Sequence, residues 1–287
     1  MAQTVLVTGA TGAVGHEVVK ALLEKDINIR VGVRDASKIQ REPWIKHVEV
    51  VALDYEQPKS LKNALSSVNA LFLATPPGYE LEKVVAQSVL DQGRKLGLQH
   101  IVRLSAIGAD EQNLFSHHYM ADQLLLSSDI GYTALQSNAF MQNFYNYMPS
   151  IKNDHKIIEP AGYGKTSFID VRDIAEFAAA VLTERGHENK IYELTGAEAL
   201  DYYQVAGLLS DVLGWKVNYK PLTIQEYIYK KEVAGLSSEA AKRASQYFEL
   251  LKLGRFACIS PSIKRILGRE PISLKQFILD HQENFRS

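Results

Sequence analysis

The sequence predicts an α/β fold: a doubly wound parallel sheet with a small, mostly helical C-terminal lobe. Three observations predict it. In the first half, short runs rich in Val, Leu and Ile alternate with amphipathic helical stretches, the pattern of a parallel sheet covered on both faces. A glycine-rich turn, Gly9-Ala10-Thr11-Gly12-Ala13-Val14-Gly15, directly follows the first of these runs and opens the first helix. After about residue 139 the rhythm changes to longer helical stretches with many tyrosines.

Taken in order, strands are predicted at Thr4–Thr8, Ile29–Val33, Val48–Leu53, Ala70–Ala74 and His100–Leu104, each bounded by turn residues. Helices are predicted between them at Val14–Glu24, Lys59–Ser66 and Glu80–Leu96. In the last, Leu81, Val84, Val85, Ser88 and Val89 share one face. Further strands are read at Tyr132–Leu135 and Tyr192–Leu194, and further helices at Arg172–Leu182 and Tyr203–Leu213. Ile224–Leu253 reads as helical with a break at Gly235 and a new N-cap at Ser237-Ser238. Residues 1–140 are assigned to the sheet domain, with about 165–200 returning to it, and 141–287 mainly to a lobe that closes over a ligand.

The formal net charge of -1 over 287 residues carries no basic excess for nucleic acid. Cys258 is the only cysteine, so an internal disulfide is excluded and a reducing, cytoplasmic compartment is expected. The run Thr4–Thr8 is too short and lacks the basic flank of a secretory leader. Ile174–Leu182, among the longest apolar stretches, is too short to cross a bilayer. No membrane association and no lipid anchor are expected.

Gly9, Gly12 and Gly15 have the spacing of a dinucleotide-binding, Rossmann-type loop. One glycine permits the tight turn, one lets the backbone approach a pyrophosphate, and one lets helix and strand pack closely. The helix N-terminus then presents N–H groups to the phosphates. At the end of the second strand an NAD site usually carries an acid that binds the ribose. Here Val33 is followed by Arg34, and Lys38 lies four residues on. A guanidinium fork suits a phosphate, so the pair favours the 2′-phosphate of NADP. Asp35 complicates that preference, and a merely solvated basic turn is the alternative. Gly162-Tyr163-Gly164-Lys165-Thr166 imitates the end of a P-loop. The required earlier glycine is replaced by Glu159, so a triphosphatase is not expected.

Val7-Thr8-Gly9-Ala10-Thr11-Gly12-Ala13-Val14-Gly15 resembles the opening of the NmrA-like group of atypical short-chain dehydrogenases. The likeness continues through Leu53-Asp54-Tyr55, Leu104-Ser105-Ala106-Ile107-Gly108-Ala109 and Ser137-Asn138-Ala139-Phe140. It extends to Phe168-Ile169-Asp170-Val171-Arg172-Asp173-Ile174-Ala175, Tyr192-Glu193-Leu194-Thr195-Gly196 and Leu267-Gly268-Arg269-Glu270-Pro271. Within the group it is most similar to the quinone-reducing and triphenylmethane-dye-reducing members. The resemblance implies NADP(H) as cofactor. It puts Gly9, Thr11, Gly12, Ala13, Val14 and Gly15 around the pyrophosphate, Arg34 and Lys38 near the 2′-phosphate, and Asp54 and Tyr55 beside the adenine. Ala74, Thr75 and Pro76 would line the cofactor, Ser105, Ala106 and Ile107 would approach the nicotinamide, and Asn138 and Phe140 would border the substrate.

The usual acid of short-chain dehydrogenases is a Tyr-x-x-x-Lys pair, in which the lysine lowers the tyrosine pKa. The nearest match is Tyr119 with Gln123 in the lysine position. The lysine position of related ether reductases falls on Met120. His118 is the remaining candidate for orienting substrate or relaying a proton, with Tyr119 a weaker one. The alternative is that His117 and His118 cap a helix start or face solvent. No metal is expected. Hydride transfer to a quinone or cationic dye gives a stabilised product and needs positioning more than acid catalysis, and Tyr145, Tyr147, Tyr227 and Tyr229 are candidates for an aromatic pocket. The leading expectation is therefore an NADPH-dependent reductase of a small quinone-like or aromatic substrate. The second is a non-catalytic NADP(H) sensor that contacts a regulatory protein partner. An isomerase or ether reductase ranks third because the lysine is absent. A homodimer is left open.

Overall fold

The computed structural model describes residues 2–76 and 80–286. Its strands are β1 (Thr4–Thr8), β2 (Asn28–Val33), β3 (Glu49–Ala52), β4 (Ala70–Leu73), β5 (His100–Ala106), β6 (Gly131–Ser137), β7 (Lys156–Glu159), β8 (Lys190–Leu194) and β9 (Asn218–Pro221). The chain divides into two units. Unit 1 comprises Met1–Ser137, Val171–Leu194 and Ser262–Gly268; unit 2 comprises Asn138–Asp170, Thr195–Pro261 and Arg269–Ser287.

Unit 1 is built on a seven-stranded sheet in the order β3-β2-β1-β4-β5-β6-β8, and every pairing is parallel. The strand order reverses at β1, so a crevice opens beyond the carboxyl ends of β1 and β4, where α/β sheets take their ligands. Strands covered on both sides must be apolar throughout: Val5, Leu6 and Val7 of β1 and Ala70–Leu73 of β4 are almost wholly buried. Helices α1 (Ala13–Leu22), α2 (Pro58–Leu65), α3 (Glu82–Leu96) and α4 (Ser116–Leu126) provide much of the cover. α1 packs on the helix Val171–Thr183, while α3 packs on α2 and α4. On the latter side Leu61, Leu65, Val85, Val89 and Leu125 form one core with Leu6, Leu71, Ile101 and Tyr132 of the strands.

The seven predicted strands all appear, with ends moved by at most two residues. The fold is the expected doubly wound one. Unit 2 holds two strands that the sequence pattern did not show, β7 and β9, paired in parallel from Lys156↔Asn218 to Glu159↔Pro221. Each is four residues long with few apolar positions, too short to show an alternation. The predicted break in the tyrosine-rich stretch is present. Helix Ile224–Val233 ends before Gly235, whose φ is 96°, and Ser237 caps helix Ser238–Lys252 by accepting from the Ala240 N–H. Among the described residues no helix is long and apolar enough to cross a membrane.

Candidate functional site

The glycine loop leaves β1 and enters α1 at the sheet's reversal. Gly9 has φ +69°, and a Cβ there would lie 3.1 Å from the Ala74 Cβ. A Cβ on Gly15 would collide with the Gly9 carbonyl, with Ala10 N only 2.9 Å away. The Gly12 N–H donates to the Gly9 carbonyl at 2.8 Å, which tightens the turn. Gly12 is also the N-cap of α1 and has no side chain to cap it. A helix leaves its first N–H groups without internal acceptors, so those of Ala13, Val14 and Gly15 point out of an uncapped N-terminus. Thr11, Gly12 and Ala13 are exposed, while Val14 and Gly15 are buried against the core.

Around this loop the other expected residues take distinct positions. Arg34 and Lys38 are exposed just past β2. Asp35 turns its carboxylate into its own loop, accepting from Ser37 N at 2.9 Å and Ser37 Oγ at 2.7 Å. Those bonds hold its pKa below the ordinary value. Asp54 likewise engages its neighbours, Glu56 N and Gln57 Nε2, both at 3.1 Å. The Tyr55 hydroxyl donates to the Ala74 carbonyl at 3.2 Å, tying the ends of two strands together. Thr75 is half-buried and Pro76 exposed; Ala106 is half-buried and Ile107 buried.

Beneath Thr75 and Ser105 lies a buried ionic network that the sequence reading missed. Arg103 is in β5, opposite Leu73 of β4 and Ala134 of β6, and is 1% exposed. A guanidinium so placed needs acceptors. It donates to Glu82, in the first turn of α3, and to Asp122 of α4. Strand alternation puts Ser105 on the same face as Arg103, and its Oγ donates to Asp122 Oδ2 at 2.6 Å. Tyr132 donates to Asp122 Oδ1 at 2.6 Å, and Thr75 donates to Glu82. Burial alone would raise the Glu82 pKa. The His118 hydrogen bond, the Arg103 and His118 charges and Thr75 outweigh it and hold the carboxyl below its ordinary value. Burial likewise opposes the charge of Arg103, but Asp122, Tyr132 and Glu82 raise its pKa. One signal was available in the sequence: an arginine inside an otherwise apolar central strand must find partners.

His118 belongs to this network. It lies four residues, one helical turn, before Asp122 on α4. Its Nδ1 is 2.8 Å from Glu82 Oε2 and 3.1 Å from the Arg103 guanidinium. Nδ1 donates to the carboxylate when it carries a proton and accepts from the guanidinium when it does not. His117 is buried and its ring packs at a tilt against that of His118, with centroids 4.4 Å apart. Neither histidine is the N-cap of α4, which is Phe115 without a side-chain bond; His117 is buried, and the His118 side chain keeps 21% of its surface exposed. Ligand atoms of Glu82, His117 and His118 lie within 4.8 Å of one another. Both Glu82 oxygens are, however, engaged, one by Thr75 and the other by Arg103 and His118, so a cation would have to compete with a donor at either of them. Tyr119 is half-buried and Gln123 exposed.

In unit 2, Asn138 is buried and its amide is fully engaged. Nδ2 donates to Ser167 Oγ at 2.7 Å and to the Phe256 carbonyl at 2.8 Å, and Oδ1 accepts from Ala139 N at 2.8 Å. It fixes the loop on which Phe140, half-buried and bridged to Ile169, is presented. Of the four tyrosines considered for a pocket, Tyr229 is 69% exposed and Tyr145 packs on Phe277 and Phe285. Tyr147 and Tyr227 instead face Glu159, a group the sequence reading did not consider for a site.

The model of the NmrA-like family matches residues 1–264. The chain belongs to the NmrA-like family. It is 30% identical to an NAD(P)H azoreductase of Xenophilus azovorans, over 98% of this chain and 99% of that protein. Its fold is similar to that of an NADPH-dependent quinone oxidoreductase from Escherichia coli, complexed with NADPH, with a TM-score of 0.87, 25% identity and coverage of 98% and 100%. A triphenylmethane reductase of Citrobacter sp. complexed with NADP(H) gives a TM-score of 0.85 at 28% identity, covering 96% and 99%.

Proposed function

We propose that this chain is an NADPH-dependent reductase that delivers hydride to a quinone-like or other conjugated aromatic acceptor. The chain is an NAD(P)H-dependent oxidoreductase of the NmrA-like family, and NADP(H) is its cofactor. The observation that carries the reading is the uncapped first turn of α1 above a loop in which Gly15 has no space for a Cβ and Gly9 holds a left-handed backbone. That arrangement suits a pyrophosphate held by the N–H groups of Ala13, Val14 and Gly15, with Gly9, Thr11 and Gly12 forming the approach. Arg34 and Lys38 take the 2′-phosphate. Asp35, bonded to its own loop, does not compete for the ribose as an NAD-type acid would. Tyr55, Ala74, Thr75 and Pro76 line the adenine and central part, together with Asp54. Ser105, Ala106 and Ile107 take the nicotinamide side, and Phe140 borders the acceptor from the Asn138 loop.

The bound nicotinamide supplies the hydride. The protein supplies alignment. Ser105 and Thr75 are each anchored from below by a carboxylate that Arg103 holds, so the two strand ends present a fixed surface. No lysine stands one turn from Tyr119; the position holds Gln123. This favours an acceptor whose reduced form is stabilised by conjugation over a plain ketone, whose alkoxide demands a strong acid. The relatives, named as azo, quinone and triphenylmethane reductases, share a conjugated acceptor.

The test is loss of reduced-nicotinamide absorbance with a panel of small quinones, azo compounds and triphenylmethane dyes. Oxidation that depends on the acceptor is expected with at least one class. Tight NADPH binding with no such oxidation across the panel would overturn the reading in favour of an NADP(H) sensor with a regulatory protein partner. Arg34→Ala is expected to raise the KM for NADPH by about tenfold, the size of a charge-assisted phosphate contact, and to leave NADH unaffected.

A further inference from the structure

Unit 2 contains a buried charge that the hydride reaction does not use. Glu159 ends β7 and is 7% exposed. Its Oε2 atom is closed to solvent and meets no hydrogen-bond partner. The backbone around it is fully tied down: the Glu159 carbonyl accepts from Leu222 N and from the Tyr219 hydroxyl, whose oxygen accepts in turn from Ala161 N and Gly162 N, both at 3.0 Å. Loose packing is therefore not why this oxygen goes without a partner. Tyr147, Tyr202, Tyr219, Tyr227 and Tyr247 all face it closely enough for its charge to disfavour their ionisation. Two cations also face it, Lys231 and Lys230. The Lys231 Nζ stands 5.1 Å from the centre of the Tyr227 ring.

We propose that Glu159 and its tyrosines form a binding site for an organic cation, a protonated amine or iminium nitrogen carried on an apolar or aromatic body. A buried carboxylate ordinarily has acceptor capacity filled by donors or a countercharge, and Glu159 Oε2 has that capacity unused. A cationic nitrogen supplies both at once. Phenol oxygens accept its remaining N–H groups, and aromatic faces attract its charge. The Tyr227 ring already holds an ammonium, that of Lys231, on a stem flexible enough to withdraw. A neutral carbonyl ligand lacks the positive charge that a spare carboxylate oxygen attracts. Burial pushes the Glu159 carboxyl up to about 7, against the pull of Lys231, Lys230 and the Tyr147 hydroxyl. A cation that binds near neutrality therefore displaces a proton, and its affinity rises with pH.

The test uses the full chain, calorimetry, and a pair of near-isosteres: 2-phenylethylamine, charged throughout the range studied, and 2-phenylethanol. The amine is expected to bind more tightly than the alcohol, with a gain of about tenfold from about pH 6 to about pH 8. Glu159→Gln should abolish both the preference and the pH gain while keeping NADPH binding, which reports an intact fold. Lys231→Ala should tighten amine binding several-fold by removing the competing ammonium, an outcome that misfolding does not produce. Equal binding of amine and alcohol at about pH 8, absence of amine binding there, or amine binding indifferent to Glu159→Gln would each overturn the proposal. None of these measurements requires turnover, so they stand or fall apart from the hydride reaction.

Discussion

Arg103 of unit 1 and Glu159 of unit 2 are both more than nine-tenths buried, yet the protein treats them in opposite ways. Arg103 is answered on each side by a carboxylate, and those carboxylates are answered in turn by Ser105, Tyr132, Thr75 and His118. Glu159 keeps an oxygen without a partner among side chains that are otherwise well packed. A saturated network fixes the atoms it connects, and here it connects two strand ends at the mouth of the sheet. An unsaturated buried charge instead stores an unmet interaction, which a ligand can satisfy. The contrast separates a charge cluster used for positioning from one left available.

The largest expected effect comes from breaking the saturated side. Arg103→Met leaves Glu82 and Asp122 buried without their cation, a loss of about 3–5 kcal/mol. Thermal or urea unfolding would measure it. Glu159→Gln should move stability the other way at neutral pH, because it removes an unpaired charge. If Arg103→Met proved neutral, the network would be a bystander and the comparison would fail.

The two clusters should also answer pH with opposite signs. Glu82 is held below the ordinary 4.5, so its contribution is present above that value and fades as pH falls through its lowered pKa. Glu159 is raised from 4.5 to about 7. The folded state then holds a proton that the unfolded state releases, and stability falls as pH climbs from 4.5 to about 7, by roughly 3 kcal/mol. Denaturant midpoints across that window should decline in the native chain and stay level in Glu159→Gln. A decline that survives the substitution would assign the slope to another group.

The same contrast explains what the sequence allowed one to read. The glycine loop and the strand runs are local: Thr4–Thr8 appears with its predicted ends because a short apolar run before Gly9 specifies both strand and turn. Ser237 was legible as a cap for the same reason. The Arg103 network joins residues 82, 103, 122 and 132 from four elements, and each carboxylate alone looks like an ordinary helix-surface charge. In the sequence Glu159 stands out only as the residue that spoils a P-loop. Its environment depends on the pairing of β7 with β9, two four-residue strands about 60 positions apart, and no periodicity announces that pairing. The motif Ser137-Asn138-Ala139-Phe140 is likewise visible in the sequence, but the partners of the Asn138 amide, Ser167 and Phe256, lie in distant segments.

The smallest expected effect is the most specific. Ser105 Oγ donates to Asp122 Oδ2, whose next partner, Gln136 Nε2, is at 3.5 Å. Ser105→Ala leaves that oxygen poorly answered, at a cost of about 1–2 kcal/mol in unfolding free energy. If the network serves only stability, NADPH binding should not change beyond what folding explains. If it positions the strand ends, the NADPH dissociation constant should rise by a few-fold in protein that is still fully folded, and Tyr132→Phe should not reproduce that rise. Tyr132 donates to the same carboxylate from the buried core, so it matches the stability loss without touching the ligand-facing end. The positioning reading predicts this split between the two variants, and a common effect on binding would reduce the network to a structural role.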